Sequence, residues 1–149
     1  MFSIIVPTFN NLEYLKLCLK SIEKNSKYEH EIIVHVNEGN DGTLDFLESQ
    51  KFKFTYSKKK EGVCLAFNKA AKKSSKDYIV LAHDDMYFCP KWDEVFINEL
   101  NNLSAQSDFF LSGTMVQPFD SYINLNCGNK IDNFDENKLL IELPKIKFK

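Results

Sequence analysis

Two adjacent carboxylates, Asp84 and Asp85, follow His83 at the end of the apolar run Tyr78-Ile79-Val80-Leu81-Ala82. At the end of a buried strand such a pair repels itself and loses hydration. A hard divalent cation relieves both costs. Mg²⁺ or Mn²⁺ takes one or two protein carboxylates and fills its shell with substrate phosphates, so a diphosphate would complete the site. The competing reading is a plain turn, because Asp-Asp after a strand also caps the next segment. His83 reads as a hydrogen-bonded turn histidine, with metal ligation as the alternative. His30 and His35 lie before or within a strand and read as structural.

Three further clusters carry polar chemistry. Asn37-Glu38 offers an amide or carboxylate to a base N–H or a ribose hydroxyl, and also reads as part of a polar turn. Lys58-Lys59-Lys60 precedes Gly62 and a helical pattern, and cations beside a helix start favour anions. Asn68 is a poor interior helix residue that points either at a site or at solvent. Every basic residue is lysine, so no bidentate guanidinium clamp on phosphate is available. Cys18, Cys64, Cys89 and Cys127 form no C-x-x-C pair, which argues against a zinc knuckle and for free thiols.

These residues need elements to position them. Residues 3–6 form an apolar strand that is expected to stop at Pro7. Asn10 and Glu13 resemble a capping box for a helix carrying Leu12, Leu15, Leu19 and Ile22. Strands follow at 31–36, 52–56, 78–82 and 109–111. Between them lie a short helix capped by Asp41, a helix along Val63, Ala66, Phe67, Ala70 and Ala71, and a helix along Trp92, Val95, Phe96 and Leu100. Trp92 reads as a core residue of that last helix, or as an acceptor platform. Alternation of strands and helices predicts an α/β fold with a mostly parallel, doubly wound sheet covered on both faces. Ligands of such sheets bind beyond the carboxyl ends of the strands, where all the clusters above fall. After Ser112 the pattern weakens, with a candidate strand at 114–117. No repeat or linker appears, so residues 1–149 are expected as one domain.

The chain has 149 residues, 44% of them hydrophobic, and a net charge of −2. That length supports a real core, and the composition excludes disorder. Near-neutral charge excludes a dedicated nucleic-acid binder. No apolar run approaches a membrane span and the N-terminus lacks a signal pattern, so a cytoplasmic location is expected. The basic, apolar tail at 144–149 reads as a solvated end or as a peripheral membrane contact. A phosphoacceptor signalling domain wants its acids after the first strand, where none occurs before Glu13. A sugar nucleotidyltransferase wants a Gly-rich basic loop there, which is also missing.

Four motifs in order resemble the family 2 glycosyltransferases, which have the Rossmann-like glycosyltransferase A fold. Phe2-Ser3-Ile4-Ile5-Val6-Pro7-Thr8-Phe9-Asn10 is similar to that family's first strand and turn. Asn37-Glu38-Gly39-Asn40-Asp41-Gly42-Thr43 resembles its acidic turn after the second strand. Glu61-Gly62-Val63-Cys64-Leu65-Ala66-Phe67-Asn68 is similar to its Gly-x-x-x-Ala-x-Asn helix start. Lys76-Asp77-Tyr78-Ile79-Val80-Leu81-Ala82-His83-Asp84-Asp85-Met86 resembles the strand that carries its metal-binding aspartates. The resemblance implies transfer of a sugar from a nucleotide-diphospho-sugar, commonly a UDP-sugar, to an acceptor hydroxyl of a glycan, lipid-linked or protein partner. It implies inversion and Mn²⁺ or Mg²⁺. By position, Pro7, Thr8 and Phe9 would hold base and ribose, Glu38 or Asn37 would contact the base, and Lys60, Gly62 and Asn68 would flank the donor. Asp84 would contact ribose or sugar, and Asp85 would bind the metal. The acidic turn is one residue short and has Asn37 where the family often has Asp. Family members usually run longer, with their acidic general base in the later part. Asp120, Asp132, Asp135, Glu136 and Glu142 are the late acids here, and none carries a trusted motif. The alternative function is a nucleotide-sugar and metal-binding module without catalysis of its own.

Overall fold

β1 (Phe2–Phe9) is paired on both sides, with β2 (Glu31–Asn37) along one edge and β4 (Tyr78–Leu81) along the other. β3 (Lys53–Ser57) extends the sheet beyond β2, and every pairing is parallel in the order β3-β2-β1-β4. The computed structural model describes residues 1–103, 108–119 and 123–146. It forms two compact units, Met1–Gln106 and Ser107–Lys149.

The sheet's alternation sorts its side chains. Phe2, Ile4 and Val6 of β1 face one way, against Leu15, Cys18, Leu19 and Ile22 of α1 (Leu12–Asn25) and Leu47 of α2 (Thr43–Ser49). Trp92, Phe96 and Leu100 of α4 (Trp92–Leu103) pack onto that same cluster. Ile5 and Ile33 face the other way, against Ala70, Phe67 and Ala71 of α3 (Val63–Ala71). The doubly wound α/β arrangement expected from the pattern is therefore present. Trp92 is a core residue, and its Nε1 donates to Ser26 Oγ at 3.0 Å. Each fully buried Leu or Ile contributes roughly 1.5–3 kcal/mol, so the two clusters hold the sheet from both faces.

Several local expectations are corrected. β1 runs through Pro7 to Phe9. Ala82 N–H donates to the Ile5 carbonyl, so the odd residues of β1 turn their backbone groups toward β4. Pro7 lies past the last β4 residue paired with β1, where no ladder bond needs its missing N–H. The Asn10–Glu13 capping box does not form. Asn10 has φ 47°, Asn11 is the N-cap, and Leu12 N–H is taken at 2.8 Å by Asp41 from the next loop. Asp41 itself stands one residue before the α2 N-cap, which is Gly42. Residues 109–111 form no strand. β4 is an edge strand of the four-stranded sheet rather than a buried one, with Ile79 and Leu81 about half exposed. In the second unit β5 (Val116–Gln117) pairs in parallel with β6 (Ile123–Asn124). There α5 (Glu136–Glu142) starts at Asp135, whose carboxylate accepts from Lys138 N–H.

The amino-terminal edge of the sheet carries the structural polar groups. The Glu31 side chain is 7% exposed and accepts from Ser3 Oγ (2.5 Å), Ser75 N–H (2.8 Å) and Lys53 Nζ (2.6 Å). Burial opposes its charge, but these donors hold its pKa at about 2. Buried Asp93 accepts from the backbone N–H groups of Lys27 (2.8 Å) and Tyr28 (2.9 Å) and from His30 Nε2 (3.0 Å). Phe2 N–H donates to His30 Nδ1, which requires the ring to be neutral with its proton on Nε2.

Burial lowers the pKa of both His30 and His35 below the ordinary 6.5. The unfolded chain therefore protonates first as pH falls. The stability these rings contribute is whole above about pH 6.5 and is lost as pH drops through their folded-state values. Urea unfolding from about pH 7.5 down to about pH 5 is expected to show that decline, with a shallower slope in His30→Gln. Asp93→Ala is expected to cost about 3 kcal/mol in the same assay, because two backbone donors and an imidazole lose their acceptor.

Candidate functional site

Parallel pairing delivers the carboxyl ends of four strands to one edge. There a cleft of about 280 Å³ opens, lined by Pro7, Thr8, Phe9, Asn10 and Asn11 from β1 and its loop, and by Asn37 at the end of β2. Lys60, Glu61 and Val63 line it from the β3–α3 connection, and His83 and Asp84 from the loop after β4. A larger cavity of about 770 Å³ lies at the opposite edge. Its His30, Glu31 and Ser26 are committed to the structural bonds above, so size alone does not select it.

Local geometry fixes each wall of the cleft. Asp41 accepts from Leu12 N–H (2.8 Å), Thr43 N–H (3.2 Å) and Thr43 Oγ1 (2.6 Å), and so ties the starts of α1 and α2 together. Asn10 Oδ1 accepts from Asn40 N–H at 2.8 Å, which joins the loops after β1 and β2. The second loop turns sharply at Glu38 (φ 62°) and Gly39 (φ 71°). A Cβ on Gly39 would stand 2.8 Å from Val36 Cγ1, so glycine is required there.

Asn37 is 5% exposed and its amide orientation is unambiguous. Oδ1 accepts from Glu61 N–H at 2.9 Å, and Nδ2 donates to the Thr8 carbonyl at 3.4 Å. Beside it Glu61 accepts from Lys69 Nζ at 2.6 Å, and Lys69 also reaches Ser57 Oγ at 3.0 Å. Lys69 is the main reason the Glu61 pKa is lowered. His35 continues this network below, with Nδ1 at 2.7 Å from Thr55 Oγ1 and Nε2 at 3.3 Å from Ser57 Oγ.

On the opposite wall Asp84 is half-buried and Asp85 exposed. Burial, followed by the charge of Asp85, raises the Asp84 pKa despite the neighbouring Thr8, Asn11 and His83. Cys18 lies beneath, its Sγ 3.5 Å from the His83 carbonyl, and burial with the charges of Asp84 and Asp85 lifts its pKa to about 12. Thr8 Oγ1 is buried without meeting hydrogen-bond geometry to any described group. It lies close enough to Asp84 to lower that carboxyl's pKa.

Of the residues expected at the site, Pro7, Thr8, Phe9, Asn37, Lys60 and Asp84 converge on this cleft. Glu38, Gly62, Asn68 and Asp85 are not among its lining residues. Glu38 lies 3.5 Å from the side-chain amides of Asn10 and Asn40. Gly62 is the N-cap of α3, between lining residues Glu61 and Val63. Asn68 is exposed along α3. Asn11 and Glu61 were not singled out as site residues; an Asn beside a strand end and a Glu before Gly62 were the available signals. Among the late acids, Asp135 caps α5, Glu142 pairs with Lys145 at 2.8 Å, and Asp132 sits in a 3₁₀ turn. Asp120, Lys147 and Lys149 lie outside the described residues.

The profile of glycosyl transferase family 2 matches residues 3–136. The chain belongs to this family. It is 32% identical over 118 residues to an uncharacterized glycosyltransferase of Rickettsia felis, an alignment covering 76% of this chain and 19% of that protein. It is 32% identical over 146 residues to an uncharacterized glycosyltransferase of Rickettsia prowazekii, covering 96% of this chain and 45% of that one. The chain thus spans less than half the length of these curated relatives. Among solved structures, S. aureus TarS in complex with UDP superposes with a TM-score of 0.62 at 24% identity, over 69% of this chain and 32% of that chain. The mannosyltransferase PcManGT from Pyrobaculum calidifontis, in complex with GDP-Man and Mn²⁺, gives a TM-score of 0.52 at 20% identity, over 56% and 27%. These likenesses show the glycosyltransferase A fold. Among the described residues no helix is long and apolar enough to cross a membrane.

The coupling between the two aspartates is directly measurable. Asp85→Asn is expected to lower the Asp84 pKa, because the neighbouring negative charge that raises it is gone. Side-chain carboxyl ¹³C shifts followed across an acid titration check the direction; an unmoved or raised value contradicts the coupling.

Proposed function

We propose that this cleft binds a nucleotide-diphospho-sugar, with a UDP-sugar as first choice, and that the chain contributes the donor side of an inverting, metal-dependent sugar transfer to an acceptor hydroxyl. The observation that carries this is the convergence of Pro7, Thr8, Phe9 and Asn37 with Asp84 in one cleft. The ring of Phe9, 37% exposed, and the clamped amide of Asn37 suit a base. The Thr8 hydroxyl, beside Asp84 in the cleft, suits a polar ligand group such as a ribose. Lys60 and the start of α3 at Gly62 suit the anionic part, and Glu38 and Asn68 flank the donor from outside the cleft.

The aspartate pair fits a divalent cation. Asp85 already raises the pKa of Asp84, so the two carboxylates repel and a cation between them is favoured. Among the described residues no cluster of three His, Cys, Asp or Glu forms. Two carboxylates with diphosphate and water as remaining ligands is the usual manner of Mg²⁺, and Mn²⁺ favours the same oxygen donors. Asp85 would hold the ion with Asp84 beside it, and the ion would supply Lewis-acid neutralisation of the leaving diphosphate. Asn37 and Thr8 orient the base and ribose, and Asp84 holds a ribose or sugar hydroxyl. The free cysteines fit a reducing compartment such as the cytoplasm.

A second reading is a donor-binding module without turnover of its own: among the described residues none is assigned as the base for the acceptor proton. Sugar release or transfer from UDP- and GDP-sugars with Mn²⁺, assayed beside binding, separates the two: binding without turnover selects the module.

The donor reading is tested by thermal shift. UDP with Mn²⁺ is expected to raise the Tm, since a ligand of the native state stabilises it. Asp85→Ala, at an exposed position, is expected to keep the unliganded Tm and to weaken Mn²⁺-dependent UDP binding by roughly tenfold or more. Unchanged Mn²⁺-dependent UDP affinity in that variant refutes the assignment.

A further inference from the structure

Lys60 and Phe9 both line the cleft, and the Lys60 ammonium stands 4.3 Å from the centroid of the Phe9 ring, over its face. Phe9 is the last residue of β1 and is 37% exposed. The other lysine of this wall, Lys69, is tied to Glu61 and Ser57. Lys60 makes no ion pair among the described residues, and Glu61 beside it already has a cation. The Lys60 charge is therefore held by the quadrupole of the ring, which is worth little at an exposed site. A flexible four-carbon stem lets the ammonium leave without moving the backbone.

A planar base that stacks on the ring face covered by the ammonium must displace it. The two cannot occupy it together. Resting on the reading of the cleft as a nucleoside-diphosphate site, we propose that Lys60 is an exchanged cation that sets ligand specificity. In the free protein it covers Phe9. A nucleoside diphosphate takes the ring with its base and receives the ammonium on its phosphates. A nucleoside must displace the same cation and offers it no anion in return. Lys60 thus selects against unphosphorylated nucleosides, in addition to attracting phosphate.

Affinities of the 149-residue chain for uridine and UDP, and in parallel for guanosine and GDP, are to be measured by NMR titration with Mg²⁺ present. In Lys60→Ala, UDP or GDP is expected to bind about tenfold more weakly, while the matching nucleoside binds about threefold more tightly because the ring is uncovered. Lys60→Arg keeps a cation for both tasks and is expected to behave as the wild type toward the diphosphate. A phosphate contact alone would weaken the diphosphate and leave the nucleoside unchanged, and that result overturns the exchange. The Lys60 Hε protons give a second readout that needs no nucleoside binding. They are expected upfield in the free protein, under the Phe9 ring current, and at an ordinary shift once UDP or GDP saturates. An upfield shift that persists at saturation overturns the exchange but leaves the nucleotide cleft standing. Failure of both diphosphates to bind the wild type removes the cleft reading, and this proposal with it.

Discussion

β1 is hydrogen-bonded to β2 on one side and to β4 on the other, and everything at the cleft follows from those two registers. Phe9 stands opposite Asn37, and Ile5 stands opposite Leu81. Because all these strands run the same way, the chain leaves each of them at one edge. The loops after residues 9, 37 and 81 have to meet there. A slip of one residue in β1 would exchange Ile4 and Ile5 between two separate hydrophobic clusters. The packing on both faces therefore holds in place the very pairing that assembles the site.

The two edges of the sheet divide the polar work. At the amino-terminal edge, Glu31 and Asp93 are satisfied by several donors each, and they fasten the chain without exposing chemistry. At the carboxyl edge the satisfaction is incomplete. Thr8 Oγ1 and Glu61 Oε2 are buried without full hydrogen-bond geometry among the described residues, with Asp84 beside the first and His35 Nε2 3.8 Å from the second, and two like charges sit side by side at Asp84 and Asp85. Positive φ at Asn10 and Glu38 adds local strain at the same edge. The multiply satisfied carboxylates thus lie away from the cleft, and the repelling pair lies beside it.

Within the cleft the charges are arranged asymmetrically. Apart from Lys60, the β2–β3–α3 wall is internally neutral, because Lys69 compensates Glu61 and the Asn37 amide is held between a backbone donor and a backbone acceptor. The wall after β4 is acidic, with Thr8, Asn11 and His83 offsetting only part of what burial and Asp85 do to Asp84. A ligand with an uncharged planar end and an anionic end carrying its own cation matches that gradient better than a uniformly charged one. Lys60, loosely placed over Phe9, stands between the two regions.

Much of this was readable along the chain. The alternation of apolar runs located β1 to β4 and α1 to α4 within a few residues, because strand and helix periods are local properties. The acids at 84 and 85 and the amide at 37 were legible as strand-end residues for the same reason. Pro7 misled as a strand stop because its missing N–H matters only if a partner faces it, and the end of β4 is a fact of pairing. The expected strand at 109–111 does not form, and the burial expected for β4 gives way to an edge position with Ile79 and Leu81 exposed. Asp41 looked like a local helix cap, yet it serves α1, 29 residues earlier, as well as Thr43. Chain order thus determined which residues would stand at the carboxyl edge and what chemistry they carry. Only folding in three dimensions decided which of them face one another, because a side chain's partners come from neighbouring strands and its own strand specifies only its direction.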